Sequence, residues 1–351
     1  MQNSDLFFQN SDLILQKNFA IISSKINHRF FERRGENAAA FLTMIFYKRK
    51  ENDTAPAGQP DPYMIEEDGR FYVYATHSKG VQLYVSDDFE NWSFDGFCYS
   101  HEGEKEYWAP AVTKIDGKYY MYYSTQPVGE SDAHTQCIKV AVSDTPKGPF
   151  TYVRTMLEPF SIDPHVIEYK GSYYIFYSVN DYEAERAGTY IVVDKLVSPT
   201  EAEGNPVPVV KPSLDEEIYQ KNRFKKGQHW HTIEGAFYFF DNDTHFCMYS
   251  GSAWTNETYF VGYSTAKGSP DDLRKLEWTK YPDNNTYRPV LAKTDFVEGT
   301  GHNSVIKHNG EWWIIYHGRD IVPDGEKKPG RSFRGDIMHV DKDKISVTIT
   351  K

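Results

Sequence analysis

The chain has 351 residues, a formal net charge of −11, 25% charged and 39% hydrophobic residues, which is enough for one large domain or two ordinary ones of a soluble globular protein. The acidic balance argues against a nucleic-acid partner, whose phosphates need a basic face, and against an anionic membrane surface; it favours a neutral ligand. No apolar run is long enough for a membrane-spanning helix, and the 16% aromatic content suits both strands and the apolar faces of sugar rings.

Residues 1–52 differ from the rest, lacking the Tyr-Tyr runs and Asp-Gly turns found later. They read as an N-terminal extension, helical or disordered, with Met44 as an alternative start. The apolar stretch Ala38–Tyr47 is followed by Lys48-Arg49-Lys50. A signal peptide would carry its basic residues first, so the stretch reads as neither signal nor span. The three cysteines, Cys98, Cys137 and Cys247, are odd in number and match no metal spacing. A reducing, cytoplasmic setting is expected.

Residues 53–351 repeat one unit five times. The turn-and-strand segments are DGRFYVYATH (68–77), DGKYYMYYST (116–125), KGSYYIFYSV (170–179), DTHFCMYSGS (243–252) and NGEWWIIYHG (309–318). Asp-Gly and Asn-Gly pairs are what tight hairpin turns demand. The aromatic and β-branched runs show no helical period. A short signature strand precedes each turn: QPDPYMI (59–65), YWAPAVTKI (107–115), SIDPHVIEY (161–169), HTIEGAFYFF (231–240) and GHNSVIKH (301–308). The interval to the turn is 8 residues from Asp61, 9 from Trp108, 8 from Asp163, 9 from Glu234 and 8 from His302. Units recur at irregular intervals, which suits a radial array with variable loops. The chain is therefore expected to be all-β, a five-bladed β-propeller. A β-sandwich of repeated hairpins is the competing reading. In a propeller the five signature positions converge at one mouth of the axis. Segments 81–92, 138–150 and 259–270 read as outer strands and turns.

Three of those positions are acidic. Asp61, Asp163 and Glu234 are each ordinary alone, since an Asp before Pro is commonly a turn residue. Their joint occurrence at equivalent repeat positions points to chemistry. Inverting glycoside hydrolysis needs an ionised carboxylate to deprotonate water and a protonated one to supply the leaving oxygen, roughly 6.5–9.5 Å apart. A third carboxylate raises the acid's pKa by like-charge repulsion.

The motifs Pro60-Asp61-Pro62, Trp108-Ala109-Pro110, Ile162-Asp163-Pro164, Ile233-Glu234-Gly235 and Gly301-His302-Asn303 resemble the signatures of glycoside hydrolase family 43 in order and spacing, from about residue 59 to 340. The resemblance implies a five-bladed propeller acting by inversion on arabinofuranosides and xylosides. It implies Asp61 as general base, Asp163 as pKa modulator and Glu234 as general acid. His302 matches a histidine near the axis that can hold water or a structural calcium ion, directly or through water; no cofactor is otherwise required. Arg331 resembles a substrate-contacting arginine, with Arg334 close enough to compete. An arginine near the acid can hold Asp163 ionised and bind sugar hydroxyls. Trp108 is expected to wall the sugar subsite. His229, Trp230 and His231 are expected on the leaving-group side, with Trp254 and Tyr259 as further candidates.

The expected activity is release of terminal pentoses from arabinan or arabinoxylan oligosaccharides. An α-L-arabinofuranosidase comes first, an exo-β-1,4-xylosidase second and an endo-arabinanase third. Retaining fructan hydrolases carry an Asn-Asp-Pro-Asn start that this chain lacks. The reading from another class is a non-catalytic carbohydrate-binding propeller, which would have no need of Glu234.

Overall fold

The computed structural model describes residues 45–47, 49, 53–323 and 325–351. Most of the stretch assigned to the extension lies outside the described residues. Its described part includes Ile45–Phe46, which pairs with Arg334 and Gly335.

The described chain is a five-bladed β-propeller. Blade 1 contains Tyr63–Glu67, Arg70–Ala75, Val81–Ser86 and Ser93–Tyr99, paired in that order. Blade 2 contains Glu104–Ile115, Lys118–Pro127, Cys137–Ser143 and Thr151–Thr155. Blade 3 is Ile162–Tyr169, Ser172–Asp181, Gly188–Ser198 and Val207–Val210. Blade 4 is Trp230–Asp241, Thr244–Gly251, Phe260–Lys267 and Thr279–Lys280. Blade 5 is Val297–His308, Glu311–Asp320 and Ser332–Asp341, and its outer edge is shared by Lys344–Val347 and Ile45–Phe46. A segment that precedes blade 1 in sequence thus completes the last blade.

Each blade begins with the same hairpin. The pairs Glu67/Arg70, Ile115/Lys118, Tyr169/Ser172, Asp241/Thr244 and His308/Glu311 close two-residue loops. Both loop residues have positive φ in every case, from 46° at Asn242 to 84° at Gly310. That is the primed turn whose twist matches the strands, and it explains the Asp-Gly, Lys-Gly, Asn-Asp and Asn-Gly pairs.

The aromatic runs after these turns lack the alternation of a half-buried strand because both faces are buried. Tyr72 and Tyr74 pack into an apolar cluster shared with blade 2, while Phe71 and Val73 pack against blade 5. Met121 and Tyr123 face blade 1, and Tyr122 faces blade 3. Ile175 and Tyr177 face blade 2, whereas Tyr174 and Phe176 face blade 4. The same division holds for Cys247 and Tyr249 against Phe246 and Met248, and for Ile314 and Tyr316 against Trp313 and Ile315. Five apolar clusters, one per junction between neighbouring blades, make up the core. The three cysteines are buried and unpaired, acting as small apolar packing groups.

Blades 3 and 4 are also joined by a short parallel contact, Gly188 with His231 and Thr189 with Thr232. Any Cβ at Gly188 would collide with the His231 backbone, so glycine permits this approach.

Candidate active site

The five signature strands share one backbone irregularity. Asp61, Ala109, Asp163, Gly235 and His302 have φ of 55°, 41°, 56°, 66° and 42°. Bulges interrupt the pairing around the last four. Asp61 and Gly69, Ala109 and Gly117, Asp163 and Gly171, Gly235 and Asp243, and His302 and Gly310 are each eight residues apart. The intervals of eight and nine in the sequence thus have a structural cause. Asp61, Asp163 and His302 are the left-handed residues themselves, while Trp108 and Glu234 immediately precede them. Left-handed backbone costs a non-glycine residue on the order of 1–3 kcal/mol, and such strain concentrates at functional sites.

A second repeat secures the first. Thr76, Ser124, Ser178, Ser250 and His317 each lie seven residues past the turn and are buried. Three of them accept the N–H of the left-handed residue on the next blade. Thr76 Oγ1 takes Ala109 N–H at 2.7 Å, Ser250 Oγ takes His302 N–H at 2.7 Å and His317 Nδ1 takes Asp61 N–H at 3.1 Å. At the junction of blades 3 and 4 the Asp163 carboxylate takes Gly235 N–H at 3.1 Å.

These bulges ring a cavity of about 420 Å³ lined by all three carboxylates and by Trp108, Trp230, His302 and Arg331, well within the size range of ligand sites. Asp61 is the most heavily engaged. Thr76 donates its hydroxyl to Oδ2 at 2.6 Å, and the Arg331 guanidinium lies 3.4 Å from Oδ1. His302 and His317 place Nδ1 at 3.6 and 3.3 Å from the same oxygen. Burial alone would raise this carboxyl, but the Arg331 guanidinium holds it well below the usual range. Burial itself keeps both histidines neutral, with His317 pushed down to about 3.

Glu234 is the opposite case. Burial lifts it to about 7, assisted by the Asp61 charge and opposed by a 2.7 Å hydrogen bond from Tyr259 and by Arg331. Asp163 is also driven up, by burial first and then by repulsion from Glu234 and Asp61, with Gly235 N–H resisting. One carboxylate held charged beside two driven toward the protonated form is the division of labour that acid–base catalysis needs.

The family model described as Glycosyl hydrolases family 43 matches residues 51–345. The chain belongs to glycoside hydrolase family 43. This family 43 hydrolase is 25% identical to a xylosidase/arabinosidase from Bacteroides ovatus, over 82% of this chain and 94% of that protein. It is 27% identical to an extracellular exo-α-(1→5)-L-arabinofuranosidase from Streptomyces avermitilis, over 65% of this chain but only 46% of that longer protein. Among solved structures, a thermostable family-43 glycoside hydrolase aligns with a TM-score of 0.70 at 27% identity, covering 84% of this chain and 93% of the other. The α-L-arabinofuranosidase of Lactobacillus brevis shares the fold, with a TM-score of 0.68 at 21% identity, covering 86% of this chain and 97% of the other.

Asp61, Asp163, Glu234, Trp108, Trp230, His302 and Arg331 line the cavity, as do Trp254 and Tyr259, whereas His229, His231 and Arg334, also expected at the site, are not among its lining residues. Arg331 differs from expectation in its partner. It pairs with Asp61, not Asp163, and its guanidinium lies 4.4 Å above the Trp254 ring. Its backbone is held against the segment before Asp61, with Gln59 N–H donating to Arg331 O at 2.6 Å. Arg334 is buried away from the cavity, bound to Asp320 and packed on Phe46. His231 is turned toward Ala187 and Arg186, and His229 accepts Asn222 N–H. Trp108 donates its indole N–H to Glu106 at 3.3 Å.

For direct ligation the surroundings of His302 do not suit calcium, which takes six to eight oxygen ligands. The carboxylate beside it, Asp61, is already engaged by the Arg331 cation. No group of three or more His, Cys, Asp or Glu able to hold a metal occurs among the described residues. No catalytic step is assigned to a metal.

Sequence reasoning missed Thr76 and His317. Both end the aromatic run of their blade, in YVYAT and IIYH, so aligning the repeats beyond the turn would have exposed them. Glu106, His134, Asn180, Tyr219 and Arg223 also line the cavity. Glu106 stands three residues before the left-handed Ala109 of its blade, as the cavity residues Phe160 and Thr232 do before Asp163 and Gly235, whereas His134, Tyr219 and Arg223 lie outside the four repeated strands.

Proposed function

We propose that the enzyme releases terminal pentose residues with inversion, Asp61 acting as base and Glu234 as acid. A water molecule on one face of the sugar gives a proton to the Asp61 carboxylate as its oxygen attacks the anomeric carbon. The glycosidic bond breaks, and Glu234 delivers its proton to the departing oxygen. Arg331 keeps the base ionised, and Thr76 and His317 orient it by hydrogen bonds to its carboxylate and its backbone N–H. Asp163 binds the N–H next to Glu234, fixing the acid's backbone, and its carboxyl adds to the repulsion that keeps a proton in the pair. The observation that carries this reading is the contrast between Asp61, held low, and Glu234, lifted to about 7, in one cavity.

The first substrate is an α-L-arabinofuranoside at the end of an arabinan or arabinoxylan oligosaccharide. A β-1,4-xyloside is the second reading, favoured by the double designation of the Bacteroides ovatus relative. Nitrophenyl arabinofuranoside and nitrophenyl xyloside, assayed with the wild type, Glu234→Ala and Asp61→Ala, test the assignment. General acid catalysis contributes about 10²–10⁴-fold, so Glu234→Ala is expected to lose that much, and less on the most activated leaving groups. Equal rates for Glu234→Ala and wild type would refute the acid assignment.

A further inference from the structure

We propose that the cavity continues past the scissile bond onto an aromatic step that binds the leaving-group portion of a saccharide chain, an inference that rests on the hydrolase reading above. The step stands on the lip between blades 3 and 4. Tyr182 and Phe224 are 48% and 56% exposed, although large aromatic rings are usually buried. Their ring centroids lie 5.0 and 5.9 Å from Trp230. Trp230 is only 3% exposed, so it is the floor on which the two more exposed rings stand. Arg223 lies over Trp230 and over Phe224, with the guanidinium 5.0 and 5.6 Å from the two ring centroids, so the outer face of Phe224 and the Tyr182 ring are what the step offers.

The step is continuous with the catalytic cavity. Asn180, on the cavity wall, donates to the Tyr182 hydroxyl at 3.3 Å. Across the opening, Arg223 donates to His134 Nε2 at 3.3 Å, which leaves Nδ1–H of that histidine to donate to Asp132. The bridge ties a blade 2 loop to the loop that carries Phe224. Trp230 precedes Glu234 by four residues on one strand, Trp230–Asp241, a rise of about 13 Å. The acid serves the leaving group, so chain units beyond the scissile oxygen run toward this step. Exposed ring faces match the apolar faces of sugars.

The test compares the wild type with a Tyr182→Ala, Phe224→Ala double variant on nitrophenyl pentoside and on an unbranched pentose tetrasaccharide. The nitrophenyl group is too short to reach the step. The ratio of kcat/KM for tetrasaccharide over aryl pentoside is expected to fall about tenfold or more. An unchanged ratio overturns the proposal. Calorimetry of tetrasaccharide binding to Glu234→Gln, with and without the double substitution, reads the same contact without turnover. Affinity that drops about tenfold supports the step, and unchanged affinity overturns it. Because the second measurement needs no catalysis, failure of the hydrolase reading and failure of the step remain distinct.

Discussion

Replacing Tyr259 by Phe isolates one hydrogen bond to the acid. The Tyr259 hydroxyl donates to Glu234 Oε1 at 2.7 Å and lowers a carboxyl that burial has lifted to about 7. The ring itself is confined, lying parallel to His317 at 5.8 Å and against Gly301, where a Cβ would overlap it. Phenylalanine keeps that packing and deletes only the donor. A hydrogen bond to a charged group contributes about 1.5–3 kcal/mol. At 1.36 kcal/mol per pKa unit this sets an upper bound of about one to two units. The hydroxyl also bonds to the protonated acid, so about one unit is expected. Losing a donor that favours the ionised form raises the pKa. The active form is protonated, and activity falls as pH rises through that pKa. The alkaline limb of kcat/KM, expected near pH 7 in the wild type from the Glu234 value, should therefore move to about pH 8. A limb that stays in place, or moves down, would refute the reasoning.

Thr76→Val removes the donor to Asp61 and the acceptor of Ala109 N–H together; kcat/KM should fall about 10–100-fold and the acidic limb should move up, with Thr76→Ser restoring both, as read from pH–rate profiles. Gly301→Ala drives a methyl into the Tyr259 ring, so it should cost about 1–3 kcal/mol in urea unfolding and lower kcat. Lys280→Met strips the counter-ion from Glu217, a buried pair at the edge of blade 4 that also involves Ser213. Loss of about 3–5 kcal/mol is expected in the same unfolding measurement, with little change in KM.

Much of this site was legible because the propeller repeats its chemistry at fixed backbone positions. Asp61, Asp163, Glu234 and His302 could be found by counting back from five turns. The two intervals of nine, at Trp108 and Glu234, already recorded that these side chains stand one residue ahead of the left-handed position. The aromatic runs pointed to strands, but only the packing shows why they lack alternation: successive side chains feed different inter-blade clusters. Ile45–Phe46 was assigned to an extension because its partner strand lies at the other end of the chain, and no local pattern reports such a pairing. Arg331 was found, but its choice of Asp61 over Asp163 depends on the close approach of residues 57–59 to residues 330–331. The Arg223–His134 bridge joins two loops of no repeating pattern, so it was invisible before the fold was known.

Proton NMR of the first-formed sugar tests the central claim most directly. With Asp61 activating water on the face opposite Glu234, an α-L-arabinofuranoside should release the β-anomer first, and a β-xyloside the α-anomer. Initial release of the anomer that matches the substrate would contradict an inverting pair of carboxylates.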